Sequence, residues 1–106
     1  MDLSAYPYLQ GNYAPVTEER DLGEDQLTVE GKVPEKLVGA FMRDGANVAF
    51  QPNHYVFTLD GDGMVHAVYF KDGRAHYRNR YVRTRAFEAE REAGRALWRG
   101  IKEPVD

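Results

Sequence analysis

Two glycine–aspartate clusters separate three β-rich runs in the middle of the chain, and this punctuation limits the possible folds more than any other feature. The clusters occupy 60–63 and 71–74, and the runs occupy 54–59, 64–70 and 75–84. Short runs rich in β-branched and aromatic residues, joined by Gly/Asp turns, are typical of antiparallel hairpins. The spacing therefore predicts a three-stranded meander over 54–84.

The middle run, 64–70, is apolar on both of the faces that a strand would present. His66 shares one face with Met64, Val68 and Phe70, and the other face carries Val65, Ala67 and Tyr69. A strand that is covered on both sides belongs inside a larger layered assembly. The run 75–84 is instead amphipathic, with aromatic and basic residues in alternation.

The flanking segments complete an all-β prediction with an arm and a helix. Residues 1–30 read as an extended arm rich in Tyr, Pro and Gly, followed by a solvated acidic loop that ends in a short strand at 27–30. Residues 31–85 hold the β-strands, with a turn at 34–37 and a strand at 40–43. The helical pattern of 86–98 predicts a short helix, although Gly94 inside it costs about 1 kcal/mol relative to Ala.

Composition excludes several classes of protein. Lys and Arg number 14 against 17 Asp and Glu, which excludes a globally basic nucleic-acid binder. The chain has no cysteine, so disulfide scaffolds, thiolate zinc sites and iron–sulfur clusters are excluded. No apolar run approaches the roughly 20 residues of a membrane-spanning helix. We expect a cytoplasmic protein without a transmembrane segment.

The cluster at 60–63 is better explained as a turn than as a ligand site. As a calcium loop it fails, because Met64 stands at the third ligand position and no Glu follows at the required spacing. As a dinucleotide-binding fingerprint it lacks the third glycine, and a strand follows where a helix is required. We therefore expect Gly61 and Gly63 to be structural, supplying the positive φ that hairpin turns need.

Three histidines, His54, His66 and His76, could in principle ligate a catalytic zinc or iron. His66 and His76 lie on separate strands of the predicted meander and could come close. Neither a helical His-x3-His spacing nor a nearby carboxylate pair supports that hypothesis, and the alternative is that His66 is a buried, hydrogen-bonded core histidine. Ser4 and the threonines have no evident base beside them, so no nucleophilic triad is predicted.

Arginines interleaved with aromatic residues over 74–87 leave two interpretations open. Strands that carry Tyr and Arg can stack bases and bind phosphates, which would suit a nucleic-acid-binding module. The same arginines could instead pair with carboxylates elsewhere in this acidic chain, as a salt-bridged strand of a larger fold.

Five segments in one order resemble the N-terminal region of carotenoid cleavage oxygenases, in particular the bacterial branch that includes lignostilbene dioxygenases. They are YLQGNYAPV at 8–16, VPEKLVGAFMRDGAN at 33–47, DGDGMVHAVYF at 60–70, YRNRYVRT at 77–84 and EREAGRALWRG at 90–100. The resemblance implies the first blade or so of a seven-bladed β-propeller. It also implies an iron(II) held by four histidines, and cleavage of a polyene or stilbene double bond by dioxygen.

The same resemblance assigns site residues within this segment. It implies that the iron ligands lie beyond the matched region, so that residues 1–106 contain no catalytic residue, bind no metal and need the rest of the propeller for stability. His66 corresponds to a structural histidine, and Leu59 to a position near the substrate tunnel. Asp44 and Ala46 stand where the family usually has Asn and Pro. The absence of that Pro is expected to loosen the loop that follows Arg43.

We therefore interpret the chain as the N-terminal segment of an iron(II)-dependent dioxygenase that cleaves a carotenoid, apocarotenoid or stilbene, with dioxygen as co-substrate and no nucleic-acid partner. Two alternatives remain. One is a non-catalytic β module that binds a protein through open strand edges, and the other is a nucleic-acid module that uses 74–87.

Overall fold

The computed structural model describes residues 1–52, 55 and 60–98, and these ranges form one four-stranded sheet and one α-helix. The sheet order is β1-β4-β3-β2. The elements are β1 (Asp21–Leu22), β2 (Gly39–Asn47), β3 (Asp62–Lys71), β4 (Arg74–Tyr81) and α1 (Arg85–Ala93). Short 3-10 helices occupy Pro7–Leu9, Gly11–Tyr13 and Glu24–Gln26. No helix within the described ranges has the length and hydropathy that crossing a bilayer requires.

The β3–β4 hairpin confirms the predicted turn at 71–74. Asp72 and Gly73 have φ values of 54° and 72°. Positive φ at both central residues gives a turn whose twist matches that of the strands it joins. The antiparallel register runs from Lys71 opposite Arg74 to Met64 opposite Tyr81.

The remaining strands differ from the sequence prediction. The strand predicted at 54–59 falls almost wholly on residues outside the described ranges, and β2 is the neighbour of β3 on its other side. The strand predicted at 40–43 is longer, Gly39–Asn47. The strand predicted at 27–30 is wrong, because β1 lies earlier, at Asp21–Leu22, where it pairs with β4. The acidic segment is therefore docked on the sheet over 18–22 and is not a loop there.

Helix α1 begins and ends at recognisable caps. The hydroxyl of Thr84 accepts a hydrogen bond from the Phe87 N–H at 3.0 Å, which starts the helix and ends the preceding β segment. Gly94 has a φ of 72°, and its N–H donates to the Glu90 carbonyl at 2.8 Å. The prediction that the helix continues to residue 98 is wrong, because Gly94 acts as the left-handed C-terminal cap and not as an interior residue.

The chain divides into two compact units, each with a small core. One unit comprises the described residues within 1–17, 45–63 and 82–106, and it buries Leu9, Val48 and Phe87. The other comprises 18–44 and 64–81 and buries Met64, Ala67 and Asn79. The apolar run 64–70 contributes two of these three residues, Met64 and Ala67, whereas Tyr69 of the same run is exposed.

Candidate functional site

The cluster at 60–63 requires a glycine at one of its two glycine positions. Gly61 has a φ of 132°, and a Cβ built there would lie 3.1 Å from both the Cβ of Ala46 and the backbone nitrogen of Asn47. Gly63 lies inside β3, where its carbonyl accepts a hydrogen bond from the Val82 N–H at 2.8 Å. The prediction that both glycines supply positive φ is therefore correct for Gly61 and wrong for Gly63, which is paired as a strand residue.

Two acidic side chains in the unit that contains this cluster hold backbone segments in place. The carboxylate of Asp62 accepts a hydrogen bond from the Ala49 N–H at 3.1 Å. Glu90 is 8% exposed and accepts from the Leu97 and Trp98 N–H groups at 3.1 and 3.2 Å. Burial raises the pKa of Asp62, and the negative charge of Glu90 raises it further. The carboxylates thus replace solvent as partners of otherwise unpaired backbone groups.

The sequence reasoning missed Glu90, although a signal was present. The apolar stripe of the helix predicted at 86–98 consists of Phe87, Ala93, Ala96 and Leu97. Glu90 falls within that stripe, three residues from both Phe87 and Ala93. An acidic residue on the apolar face of a helix is buried only when it has hydrogen-bond partners. Its position there therefore indicates a structural hydrogen bond.

His66 forms a paired contact with Tyr77 across the β3–β4 ladder. The Nδ1 atom lies 2.6 Å from the Tyr77 hydroxyl, and the two rings are stacked with centroids 6.1 Å apart. Burial lowers the pKa of His66, and the positive charge of Arg43 lowers it further. The predicted hydrogen bond is present, but the ring is half-buried and not fully enclosed.

The strand register separates the two described histidines. His66 lies opposite Asn79, so the two share a face, whereas His76 is three residues from Asn79 and lies on the other face. There His76 is hydrogen-bonded to the carboxylate of Asp21. His66 and His76 therefore do not converge on one ion, which corrects the expectation that they could come close.

Within the described ranges, no group of three or more His, Asp or Glu side chains could hold a metal ion. These residues do not fit the iron that the family resemblance implies, because the imidazoles of His66 and His76 point to opposite faces and are already hydrogen-bonded. His54 and Leu59 lie outside the described residues.

The arginines of β4 are paired with the acidic segment. The Nε atom of Arg74 lies 3.3 Å from a carboxylate oxygen of Glu24, and that of Arg78 lies 3.2 Å from Asp21. The Nε atom of Arg80 lies 3.5 Å from Glu19. These pairs match the interpretation of a salt-bridged strand, since a phosphate at these positions would compete with a carboxylate that the fold already supplies.

Asp21 is the centre of this charge cluster. A hydrogen bond from His76 lowers the pKa of the Asp21 carboxyl, and the positive charges of His76, Arg78 and Arg80 act in the same direction. The cluster lies at the surface, where each ion pair contributes little by itself. Together its ion pairs join the acidic segment to β4.

Two buried asparagines, one in each unit, hold the backbone of a distant N-terminal segment: Asn47 holds the arm, and Asn79 holds the acidic segment. The Asn47 amide accepts from the Val16 N–H at 2.7 Å and donates to the Val16 carbonyl at 2.9 Å. The Asn79 amide accepts from the Arg20 N–H and donates to the Glu18 carbonyl at 3.0 Å. Each amide makes the two hydrogen bonds, one to a backbone N–H and one to a backbone carbonyl, that a neighbouring strand would otherwise make. The sequence alone predicted no role for either asparagine.

Known proteins resemble this chain in both sequence and fold. The chain is 45% identical over 83 residues to the carotenoid 9,10(9',10')-cleavage dioxygenase 1 of Pisum sativum, which is 78% of this chain and 15% of the pea protein. The crystal structure of the Pseudomonas brassicacearum lignostilbene dioxygenase matches with a TM-score of 0.76 and 31% identity, over 86% of this chain and 19% of that one. A variant of the Synechocystis apocarotenoid oxygenase matches with a TM-score of 0.74 and 32% identity, over 89% and 20%.

The matched structures identify the sheet as part of a β-propeller, and the chain spans about a fifth or less of the length of these relatives. The predicted fold class is thereby confirmed. The family model described as RPE65, retinal pigment epithelial membrane protein, matches residues 13–106. By that match, and by its likeness to the carotenoid-cleaving and lignostilbene dioxygenases, the chain belongs to the RPE65 family of carotenoid oxygenases.

Proposed function

We propose that the chain is the N-terminal segment of an iron(II)-dependent dioxygenase that cleaves a carbon–carbon double bond of a carotenoid, apocarotenoid or stilbene. The observation that carries this proposal is the agreement of sequence and fold over the same part of the chain, since most of the 106 residues align in both comparisons. The reaction adds one oxygen atom of O2 to each carbon of the double bond and gives two carbonyl products.

In this proposal residues 1–106 form one segment of a larger propeller domain and serve the reaction by building the scaffold. Histidines in the remainder of the protein would hold the iron, and this segment would supply no ligand and no catalytic residue. The hydrogen bond of His66 to Tyr77 and the close approach of Gly61 to Ala46 support structural roles for both. Gly63 is structural as a strand residue, and Leu59 is proposed to neighbour the substrate tunnel.

The substrate would be an apolar polyene or stilbene, with dioxygen as the second substrate. A cytoplasmic location stays a prediction. A nucleic-acid partner is not proposed, because carboxylates of the acidic segment lie beside Arg74, Arg78 and Arg80.

The test is an activity measurement on the whole protein encoded by the reading frame that contains this chain. The iron-loaded protein should consume one O2 for each double bond cleaved in a stilbene or an apocarotenoid, with two carbonyl products detected by mass spectrometry. The 106-residue chain, loaded in the same way, is the matched control and should produce neither. A whole protein that binds iron, folds, and cleaves no substrate of either class would contradict the proposal.

Ferrous titration of the 106-residue chain tests the assignment of ligands. We expect binding no tighter than that of a peptide of similar histidine content. His66→Ala and His76→Ala should leave the titration curve unchanged. Tight, stoichiometric binding that is lost in His66→Ala alone would make His66 a ligand and overturn its structural role.

A second candidate function is a non-catalytic β module that binds a protein through an open strand edge. The exposed strand β2, at the end of the sheet order, favours it. The two functions differ in what the whole protein does, since a binding module would fold without iron and consume no oxygen.

A further inference from the structure

An open groove lies on the sheet beside the turn that joins β3 to β4. It has a volume of about 330 Å³ and belongs entirely to the unit made of 18–44 and 64–81. Its walls include Tyr69 and Lys71 from β3, Arg74 and His76 from β4, and Glu24 from the acidic segment. Sites of roughly 300–1,000 Å³ hold small molecules, so the groove has room for a ligand built on a single ring.

The strand register brings two cations together at one end of this groove. Lys71 lies directly opposite Arg74, and Tyr69 lies directly opposite His76. Residues that face each other across a ladder share a face of the sheet, as do residues two apart in one strand. The groove therefore has two rings side by side, followed by two positive charges at the turn. Like charges in opposing positions destabilise a hairpin, so an anion between them would be favourable.

Among the residues described for this groove, cations outnumber carboxylates. The Nε atom of Arg74 lies 3.3 Å from Glu24, whereas Lys71 has no ion pair in the part of the chain that the structure describes. The Arg74 and Glu24 side chains are 70% and 62% exposed, so their pair is weak, and the guanidinium has further N–H groups for a second acceptor. Two cations and one carboxylate leave one surplus positive charge.

The surplus charge and the exposed ring select the class of ligand. One positive charge matches a monoanion, whereas a phosphate dianion would also be repelled by Glu24. A carboxylate has two oxygens and can accept from the Lys71 ammonium with one and from the Arg74 guanidinium with the other. Tyr69 is 36% exposed beside them, and an aromatic side chain binds best against another ring.

We infer that this groove binds a small aromatic carboxylate, with the carboxylate between Lys71 and Arg74 and the ring against Tyr69. The inference uses residues of one unit only, and it goes beyond the proposed function without resting on it. The other arginines of β4 are not part of the site, because Arg78 and Arg80 lie beside Asp21 and Glu19.

The test is a titration of the whole protein with para-fluorobenzoate, followed by fluorine NMR of the ligand. We expect saturable binding that Lys71→Gln weakens about tenfold, because the variant loses a charge-assisted hydrogen bond. Lys36→Gln removes an exposed lysine elsewhere in the same unit and should leave the affinity unchanged. Binding that is absent, or that is the same in Lys71→Gln and the parent protein, would overturn the inference.

Three competitors test the chemistry of the ligand at the Lys71-dependent site. Benzoate should displace the probe, whereas benzamide has the same ring without the charge and should displace it at least tenfold less well. Acetate has the carboxylate of an acidic peptide side chain without a ring, and it should also compete more weakly. Acetate or inorganic phosphate that competes as strongly as benzoate would overturn the assignment of an aromatic monoanion.

Tyr69→Leu tests the position of the ring. The variant keeps an apolar side chain and loses the aromatic face, so it should weaken the binding of para-fluorobenzoate about threefold and leave that of acetate unchanged. If this variant does not fold, cyclohexanecarboxylate supplies the same comparison on the parent protein, since it has the shape of benzoate without an aromatic ring. Equal affinity for the saturated and the aromatic acid would contradict the contact with Tyr69.

Discussion

Asn79 and Arg20 are joined by hydrogen bonds on both sides of the Arg20 residue. The Asn79 side chain accepts from the Arg20 N–H, and the Asn79 N–H donates to the Arg20 carbonyl at 3.1 Å. The side-chain amide of Asn79 also donates to the Glu18 carbonyl, and it contacts the sulfur of the fully buried Met64 at 3.6 Å. A single buried side chain thus connects the core of the β3–β4 hairpin to the acidic segment.

Replacement of Asn79 by Ala should release this segment. The change leaves the Arg20 N–H and the Glu18 carbonyl without their side-chain partner, and a loss of this kind lowers the free energy of unfolding by about 1–3 kcal/mol. Trypsin cleavage after Arg20 in the native chain measures the release, and it should become faster in Asn79→Ala. Asn79→Asp keeps the acceptor for Arg20 but loses the donor to Glu18 and buries a carboxylate at a position that is 1% exposed, so its cleavage should be at least as fast as that of Asn79→Ala.

The control is Asn12→Ala, which changes an exposed asparagine in the Gly11–Tyr13 turn. It should leave cleavage after Arg20 unchanged. Equal cleavage rates for the parent chain and Asn79→Ala would contradict the role of Asn79.

The charge cluster at Asp21 predicts a docking that weakens only in acid. The pKa of Asp21 is lowered from its ordinary 3.8, first by the hydrogen bond from His76. Stabilisation by the ionised carboxylate is therefore fully present above pH 3.8, and it is lost as the pH falls through the lower folded pKa. His76→Ala should move the pKa of Asp21 back toward 3.8, as followed by NMR of its carboxyl carbon.

Lys36→Ala serves as the control for that titration, because Lys36 is an exposed cation that forms no part of the cluster. An Asp21 titration that is the same in His76→Ala and in the parent chain would contradict the proposed cause of the shift.

The environment of His66 predicts a neutral imidazole at pH 7. Its pKa is lowered from 6.5 by burial and then by Arg43. Arg43→Gln should raise the pKa of His66 only part of the way, because burial is the larger cause and remains. Lys71→Gln removes a cation from the same strand but the opposite face, and the NMR titration of the His66 ring should not respond to it.

The contribution of His66 to stability has the opposite sign from that of a paired, charged histidine. With a lowered folded pKa, stability is fully present above pH 6.5 and falls as the pH drops through the folded value. Tyr77→Phe removes the hydroxyl 2.6 Å from Nδ1 and should cost about 1 kcal/mol in urea unfolding at pH 7. A stability that rises as the pH is lowered from neutral to mildly acidic values, with all other histidines replaced, would contradict this sign.

Asp62 predicts a substitution that stabilises. Its pKa is raised from 3.8, chiefly by burial, so its contribution to stability is greatest below pH 3.8 and is lost as the pH rises through the folded pKa. Asp62→Asn keeps an oxygen that can accept from the Ala49 N–H and removes the charge. At pH 7 its melting temperature should equal or exceed that of the parent chain.

Asp62→Ala is the matched comparison, because it removes the acceptor together with the charge. It should lower the free energy of unfolding by about 1–3 kcal/mol, since the Ala49 N–H loses its partner. Equal destabilisation by Asp62→Asn and Asp62→Ala would show that the charge itself is needed and would contradict the prediction.

The β3–β4 hairpin and the start of α1 could be predicted because their signals are local. Asp72 and Gly73 specify a tight turn through positive φ, and Thr84 specifies a helix start through its hydroxyl. The role of Gly94 could not be predicted, because the sequence does not distinguish a costly glycine inside a helix from one that caps its C-terminus. The resemblance to carotenoid oxygenases likewise needed only the order of five short segments.

Long-range pairing was decided by the tertiary structure. The sequence contained an acidic segment and a basic strand, but only the folded chain places Asp21 opposite Arg78, and only the register puts His66 and His76 on opposite faces. Asn79 could not be recognised because its partners, Glu18 and Arg20, are about sixty residues away. The position of a residue within a strand determines which of its neighbours share its face. Its hydrogen-bond partners depend on which distant part of the backbone the fold brings to that face.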